Sequence, residues 1–380
     1  MDKEFEIGPI RPPSEAESLL LRITRNCPWN KCRFCKLYRG HPFVARTVAE
    51  IKADIDRAAQ CREDIYHWAA DGTQLNYNQI WNRLFDQPEE IKQNYLHVLQ
   101  WIASGAESVF LQDANAMVLS YGKLQEILTH LREKLPQVKR VTSYGRVDAL
   151  NKFSVEQLVN LRSAGLDRIH SGFESGSDKV LELINKGYTK AQEIEAGRKV
   201  IESGIELSIY YMPGAGGRVL SDENAIETAD VVNKVNPDFV RIRTFAALPG
   251  SEIYDDFKSG KLASCTDIEK MLELKRMIEN ADCATGHLYS DHVINLFEEV
   301  NGSLGSDREK MLDVFKEFLG LDTTEQKRYQ LARRMGMVRS LADFWLLGKA
   351  RKEQVDELLS QLDTEEKFEQ HLSRLIRRYI

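Results

Sequence analysis

No run of this 380-residue chain stays apolar for the roughly 18 residues that a membrane-spanning helix needs. The opening stretch, MDKEFEIGPIRPPSEAES, has charges where a secretory leader carries its apolar core. Both absences lead to the expectation of a cytoplasmic protein with no membrane partner. An excess of basic residues is missing too: 52 Lys and Arg face 58 Asp and Glu, for a formal net charge of -6. That balance argues against a broad electropositive face for nucleic acid and favours a small-molecule substrate. Low-complexity tracts and short repeats are absent. Cysteines number only six, at 27, 32, 35, 61, 265 and 283. A secreted disulfide scaffold spreads its cysteines through a short chain, whereas here three crowd into nine residues, so reduced thiols available as ligands are expected.

With 42% hydrophobic residues the chain can bury a large core. Six apolar strands, each followed by a helical pattern, are expected at 19–25, 108–114, 140–146, 167–174, 206–214 and 238–248. Such alternation predicts an α/β fold with parallel strands. Thr47 is a candidate N-cap for the helix over 47–60, and Gly165 and Gly204 are placed to end later helices. A polar, aromatic stretch at about 61–93, with Tyr66, Trp68, Tyr77, Trp81 and Tyr95, looks like an insertion. Beyond residue 250 the pattern becomes almost wholly helical. The predicted organisation is an extension over 1–18, a barrel-type domain over 19–250 and a helical C-terminal domain over 251–380. The basic run from Arg374 to Tyr379 reads as a solvated helix end, with a binding patch as the alternative.

In parallel barrels functional residues gather at the carboxyl ends of the strands. The first such end carries Cys27-Pro-Trp-Asn-Lys-Cys32-Arg-Phe-Cys35, a C-x4-C-x2-C segment. Three thiolates on one loop can ligate three irons of a cubane cluster and leave the fourth iron open. Zinc is the competing reading. It requires four ligands, and neither a second C-x2-C nor a His pair at knuckle spacing occurs, although His41 could serve as a fourth. Cys61, Cys265 and Cys283 are too far apart for a second cluster and are expected to be buried small residues.

The segment resembles the signature of the radical S-adenosylmethionine (SAM) superfamily, with one extra residue in the first gap. The resemblance covers about residues 19–250. Gly172-Phe-Glu-Ser-Gly-Ser-Asp-Lys-Val-Leu-Glu-Leu-Ile-Asn-Lys-Gly187 is similar to the fourth-strand region of the branch holding oxygen-independent coproporphyrinogen oxidases, elongator-type enzymes and methylthiotransferases. ALPGSEIY after the sixth strand is similar to that branch's turn. The resemblance implies a partial (β/α)6 TIM-type barrel, a [4Fe–4S] cluster on Cys27, Cys32 and Cys35, and SAM at the open iron. It implies Glu174 at the SAM ribose and Lys186, twelve residues on, at the methionine carboxylate. Lys stands where Arg is usual, which removes the bidentate fork. The Gly-Gly-Glu motif for the SAM amino group is replaced by Leu111-Gln112-Asp113-Ala114-Asn115, where Gln112 and Asp113 are the candidate contacts. Pro213-Gly214-Ala215-Gly216-Gly217 represents the glycine loop near adenine. Phe34, Arg146 and Arg243 complete the candidate cofactor set. The implied chemistry is reductive cleavage of SAM by an electron from a flavodoxin- or ferredoxin-type donor. The resulting 5′-deoxyadenosyl radical abstracts hydrogen from a substrate the sequence does not name.

Bland alternatives accompany these readings. Phe34 could pack in the core, and Gln112 and Asp113 could form an ordinary turn. Tyr144, His170, Arg241 and His292 are candidate catalytic groups, but Tyr144 and Arg146 could cap a strand, His170 could fill the barrel, and Arg241 and Arg243 could pair with a helix. His292 and Asn295 resemble a motif of uncharacterised relatives in the branch, with helix capping as the alternative. Competing functions are a coproporphyrinogen-oxidase-like activity, a haem- or cluster-handling protein without turnover, and a zinc-binding protein.

Overall fold

A computed structural model describes residues 4–69 and 76–379. The chain divides into two compact units: Met1–Asn30, Gly40–Ser171 and Lys199–Glu206 form the first, and Lys31–Arg39, Gly172–Arg198 and Leu207–Ile380 the second. The boundary expected at residue 250 falls inside the second unit.

In the first unit, β1 (Leu19–Arg22), β2 (Ser108–Gln112), β3 (Arg140–Tyr144) and the start of β4 (Arg168–Glu174) pair in parallel. Leu20 stands opposite Phe110, Phe110 opposite Thr142, and Ser143 opposite Ile169. Most residues of these strands are buried and none is exposed, as parallel strands covered on both faces require. The helix Val48–Trp68 begins at Thr47, whose side chain accepts from the Glu50 amide while Glu50 reaches back, a capping box. Ser154 and Gln157 do the same for the helix Val155–Ser163.

The aromatic stretch at 61–93 is helical where described, with helices Tyr77–Phe85 and Glu89–Ala103 after the first; its residues 70–75 lie outside the described residues. Tyr95 is fully buried, packs at 4.9 Å on Trp68 and donates to Asp64 at 2.6 Å, whereas Tyr66, Tyr77 and Trp81 are exposed. The segment expected to be an extension packs inward: Phe5 and Glu15 are buried, and Phe5 exchanges backbone hydrogen bonds with the Asn94 side chain.

The second unit carries β5 (Glu206–Tyr211, from Leu207 onward), β6 (Phe239–Ile242), β7 (His287–Tyr289) and β8 (Gly302–Ser303). The first three are parallel, and β8 runs antiparallel to β7. The six expected strands are therefore all present, and the α/β class holds. The segment 281–303, expected to be helical, contains β7 and β8 and no helix. These strands are two and three residues long, too short to leave a periodic trace, and Gly286 sits so close to Pro237 that a Cβ would lie 1.9 Å from its carbonyl oxygen. The rest of the C-terminal region is largely helical, and its Tyr329 and Phe318 pack on Phe297 of the preceding segment, stacked at 5.3 Å and edge-on at 5.2 Å. Cys61 and Cys265 are buried as expected; Cys283 is exposed, in the loop between Asn280 and His287 rather than in the core.

Candidate cofactor site

All six thiols are free of disulfides, so the soft donor set that a cluster needs is available. Cys27 belongs to the first unit and is half-buried. It follows Asn26, which takes the left-handed conformation (φ 67°). The Asn26 amide donates to Asp113 Oδ2 at 3.3 Å, and Arg22 pairs with the same oxygen at 2.9 Å. Asp113 is completely buried and so anchors the start of the cysteine loop through a charge-assisted bond. Gln112 is occupied differently: its Nε2 donates to the carbonyls of Gly8 and Ile10, and its Oε1 accepts from the Gly8 amide at 2.7 Å. Nearby, Asn115 accepts from the Arg146 amide, while its Nδ2 is buried without a partner among the described residues. The Arg146 guanidinium lies 5.4 Å from the ring centre of Trp29, inside the cysteine loop, and bonds Asp148 at 2.9 Å.

Tyr144 and His170 belong to a different neighbourhood of this unit. Tyr144 stands edge-on to Phe110 at 5.0 Å and 6.1 Å from His170. His170 is fully buried, with Nε2 3.4 Å from Glu15 Oε1.

In the second unit Cys32 is buried and Cys35 half-buried. The arch between them is fixed by Arg33, whose amide donates to the Ile184 carbonyl at 2.9 Å and whose guanidinium pairs with Asp256. Phe34 packs on the apolar cluster of Val180, Ile184, Met212, Ala215, Phe245 and Ile253. It also lies 5.9 Å from Lys186 Nζ, so packing and proximity to Lys186 are both realised. Lys186 contacts Glu174 Oε1 at 3.2 Å, with side chains 6% and 13% exposed, and has the Tyr188 ring at 5.4 Å. Glu174 ends β4 in the left-handed region at φ 68°, a conformation that costs a non-glycine residue energy and clusters at functional sites. Gly172 makes room for the pair: a Cβ there would lie 2.3 Å from Glu174 Oε1. Within the electrostatic reach of this pair, Glu193 is fully buried with neither carboxylate oxygen partnered among the described residues. Burial pushes its carboxyl well above the usual range, against the pull of Lys186.

The glycine loop after β5 shows a residue that the sequence did not flag. Glu273, in the helix Asp267–Asn280, accepts from the Tyr211 hydroxyl at 3.0 Å and the Gly214 amide at 2.9 Å. It also accepts from Ser221 at 2.5 Å and Asn224 at 2.6 Å. Burial raises its carboxyl to about 7, and these donors work the other way. No local motif marks it; its distance in sequence from Gly214 hides it.

Arg241 and Arg243 share Asp291, at 2.5 and 2.9 Å, and lie over Tyr289 and Tyr210 respectively. The pairing expected with a helix is made instead with a turn residue. His292 is held neutral, its pKa lowered to about 4 by burial and then by Arg243. Asn295 caps no helix; it accepts from Thr244 and donates to the Ile242 carbonyl at 3.0 Å, closing the end of β6. The structure therefore brings together Phe34, Glu174 and Lys186, and separately Arg241, Arg243 and the turn before His292. Tyr144 and His170 form a third group.

These observations fit the expected cofactors: free thiols for a cluster, an acid beside a cation for ribose hydroxyls and a carboxylate, and a cradle that a Cβ would fill. Residues 21–230 match the Radical SAM superfamily, and the chain belongs to that family. It is accordingly an enzyme whose cofactors are a [4Fe–4S] cluster and SAM. The tRNA uridine(34) acetyltransferase of Methanocaldococcus infernus is 26% identical over 117 residues, 30% of this chain and 21% of that protein. The tRNA-2-methylthio-N(6)-dimethylallyladenosine synthase of Aquifex aeolicus is 23% identical over 189 residues, 46% of this chain and 42% of that protein. The chain thus spans less than half the length of these curated relatives. Among solved structures, Elp3 of Methanocaldococcus infernus aligns with a TM-score of 0.41 at 17% identity, covering 60% of this chain and 58% of that one. Coproporphyrinogen III oxidase (HemN) of Escherichia coli gives 0.41 at 15% identity, covering 67% and 49%. Among the described residues no helix is long and apolar enough to cross a membrane.

Proposed function

We propose that Cys27, Cys32 and Cys35 hold the cluster, that SAM binds beside Glu174 and Lys186, and that the enzyme abstracts hydrogen from its substrate. The observation that carries this reading is the Phe34–Lys186–Glu174 group in the second unit, on the arch that bears Cys32 and Cys35 and at the end of β4. When bound and reduced, the cluster supplies the electron that breaks the sulfonium of SAM. Lys186 offers a charge for the methionine carboxylate, and Glu174 offers acceptors for ribose hydroxyls. Phe34 keeps one side of this group apolar, which strengthens both contacts by excluding water. Asp113 and Arg22 hold the Cys27 end of the loop, and Arg33 holds the other end. The Pro213–Gly217 loop, with three glycines after the end of β5, is the candidate contact for a planar ring. Arg146, Arg243, Tyr144, His170, Arg241 and His292 stand as candidates for contact with SAM or substrate.

A flavodoxin- or ferredoxin-type donor would supply the electron. The names of the curated relatives favour an RNA nucleoside as substrate, beside the small molecule that the acidic composition suggests. The experiment is anaerobic reconstitution with iron and sulfide, followed by reduction with dithionite in the presence of SAM. About four irons per chain and formation of 5′-deoxyadenosine are expected. One zinc, or an intact cluster without 5′-deoxyadenosine, overturns the reading. Stimulation of product formation by bulk tRNA, and its loss after nuclease treatment, supports the nucleoside substrate; no stimulation counts against it.

A further inference from the structure

Glu273 is 3% exposed, and its carboxylate takes four donors from three consecutive parts of one stretch of chain. Tyr211 comes from the end of β5, the Gly214 amide from the glycine loop, and Ser221 and Asn224 from the helix Gly217–Val235 that follows. Three of the donors converge on Oε1 and the Ser221 hydroxyl meets Oε2, so both oxygens are engaged. No cation pairs with Glu273 among the described residues, so a buried acid is kept in place by neutral donors alone. Burial of such a group is unfavourable unless it is hydrogen-bonded, so its hold depends on these donors. Loss of one donor weakens the hold on the others.

The geometry is directed at the loop. Gly214 takes φ +88°, which an L side chain resists, and its amide points at Glu273. One turn earlier on the same helix, Lys270 lies along the other side of Gly214, where a Cβ would come within 2.9 Å of its Cγ. Positions three apart share a helix face, so one face of Asp267–Asn280 presents both the acceptor and the wall that fix Gly214.

We propose that Glu273 is a positioning residue for SAM: it holds the Pro213–Gly217 loop in the one conformation that receives the adenosyl end of the cofactor. This rests on the reading of that loop as the adenine contact. Glu273 touches neither cofactor nor substrate; it acts through Gly214. Glu273→Leu keeps roughly the size of the side chain and removes every acceptor, so the Gly214 amide loses its partner.

The test uses the anaerobically reconstituted full chain. In Glu273→Leu, amide hydrogen exchange across 213–217 should quicken, and the dissociation constant for SAM should rise about tenfold or more. Iron content and the rate of 5′-deoxyadenosine formation at saturating SAM should stay within about twofold. That split between affinity and turnover is not expected of a residue that only supports the fold. Should Glu273→Leu fail to fold, Ser221→Ala removes a single donor and is expected to raise the dissociation constant about two- to fivefold. Gly214→Val separates the two ideas. If it weakens SAM binding while the Glu273 and Ser221 variants do not, the positioning role is overturned and the loop assignment stands. If Gly214→Val leaves SAM affinity unchanged, the loop assignment itself fails.

Discussion

Gly172→Ala tests the pocket around Glu174 with the smallest possible change. A Cβ at this position would lie 2.3 Å from Glu174 Oε1 and 3.3 Å from Lys186 Nζ. The backbone there is one that an L residue adopts, so the effect is steric rather than conformational. The carboxylate must give way by roughly 1 Å to reach ordinary van der Waals separation. As the far end of a flexible side chain it can do so at a folding cost on the order of 1 kcal/mol, a fall in Tm of no more than about 4 °C. The same displacement opens the 3.2 Å contact with Lys186. Losing the partner of a buried charge costs about 3–5 kcal/mol at the upper end. Here the loss is smaller, because Lys186 keeps the rings of Phe34 and Tyr188 at 5.9 and 5.4 Å, contacts worth about 0.5–2 kcal/mol. We expect SAM affinity to fall about ten- to a hundredfold, equivalent to roughly 1.4–2.8 kcal/mol. The assay is equilibrium binding of SAM to the reconstituted protein under anaerobic conditions, with iron content and thermal unfolding as controls. Unchanged SAM affinity in a variant that carries the new methyl group and folds normally refutes the reasoning.

Other outcomes follow from the same structure. Cys32→Ala should abolish cluster assembly, read as loss of about four irons per chain and of visible absorbance; retained iron would remove Cys32 from the ligand set. His97 accepts from the Leu20 amide at 2.9 Å at the start of β1, and burial, then Arg11, lower its pKa to about 4. A base depressed in the folded state gives stability that is present above the unfolded pKa and lost as pH falls from about 6.5 toward 4, here on the order of 3 kcal/mol. Urea unfolding at pH 7 and pH 4.5 should show that loss in the parent and less of it in His97→Gln; equal losses would show that His97 is not its source. Arg334 pairs with Asp267 at 2.7 Å with both side chains 2% exposed. Arg334→Ala leaves a buried acid uncompensated and should cost about 3–5 kcal/mol in urea unfolding; a cost under about 1 kcal/mol would contradict the pairing.

The legibility of the fold tracks the range of the signal. Each of the six long strands is an apolar run ended by turn chemistry, and every one is present. β7 and β8 are not legible because two or three residues carry no period, and they exist only where Gly286 lets the chain pass close to Pro237. The segment before β1 read as an extension because it has no periodicity. It is nevertheless built into the first unit by single long-range contacts, such as Asn94 with Phe5 and Glu15 with Arg140 at 3.2 Å.

The candidate site divides in the same way. Glu174 and Lys186 stand twelve residues apart, on either side of the short helix Asp178–Leu183, so a short motif could encode their meeting, and they do meet. Gln112 and Glu174 look equivalent in the sequence, each a polar residue at the end of a strand. What separates them is distant: Gln112 is bonded to Gly8 and Ile10, more than a hundred residues away, whereas Glu174 is left beside Lys186. Glu273 is the converse case, an ordinary glutamate in an amphipathic helix until Gly214, Ser221 and Asn224 converge on it from some fifty to sixty residues earlier. A strand end therefore tells which residue is available, and only the partners brought in by tertiary packing decide whether it stays available. On that reasoning, Asn115, with its Nδ2 buried and unpartnered among the described residues, has a stronger structural claim to a cofactor or substrate contact than Gln112, although both belong to the same replaced motif.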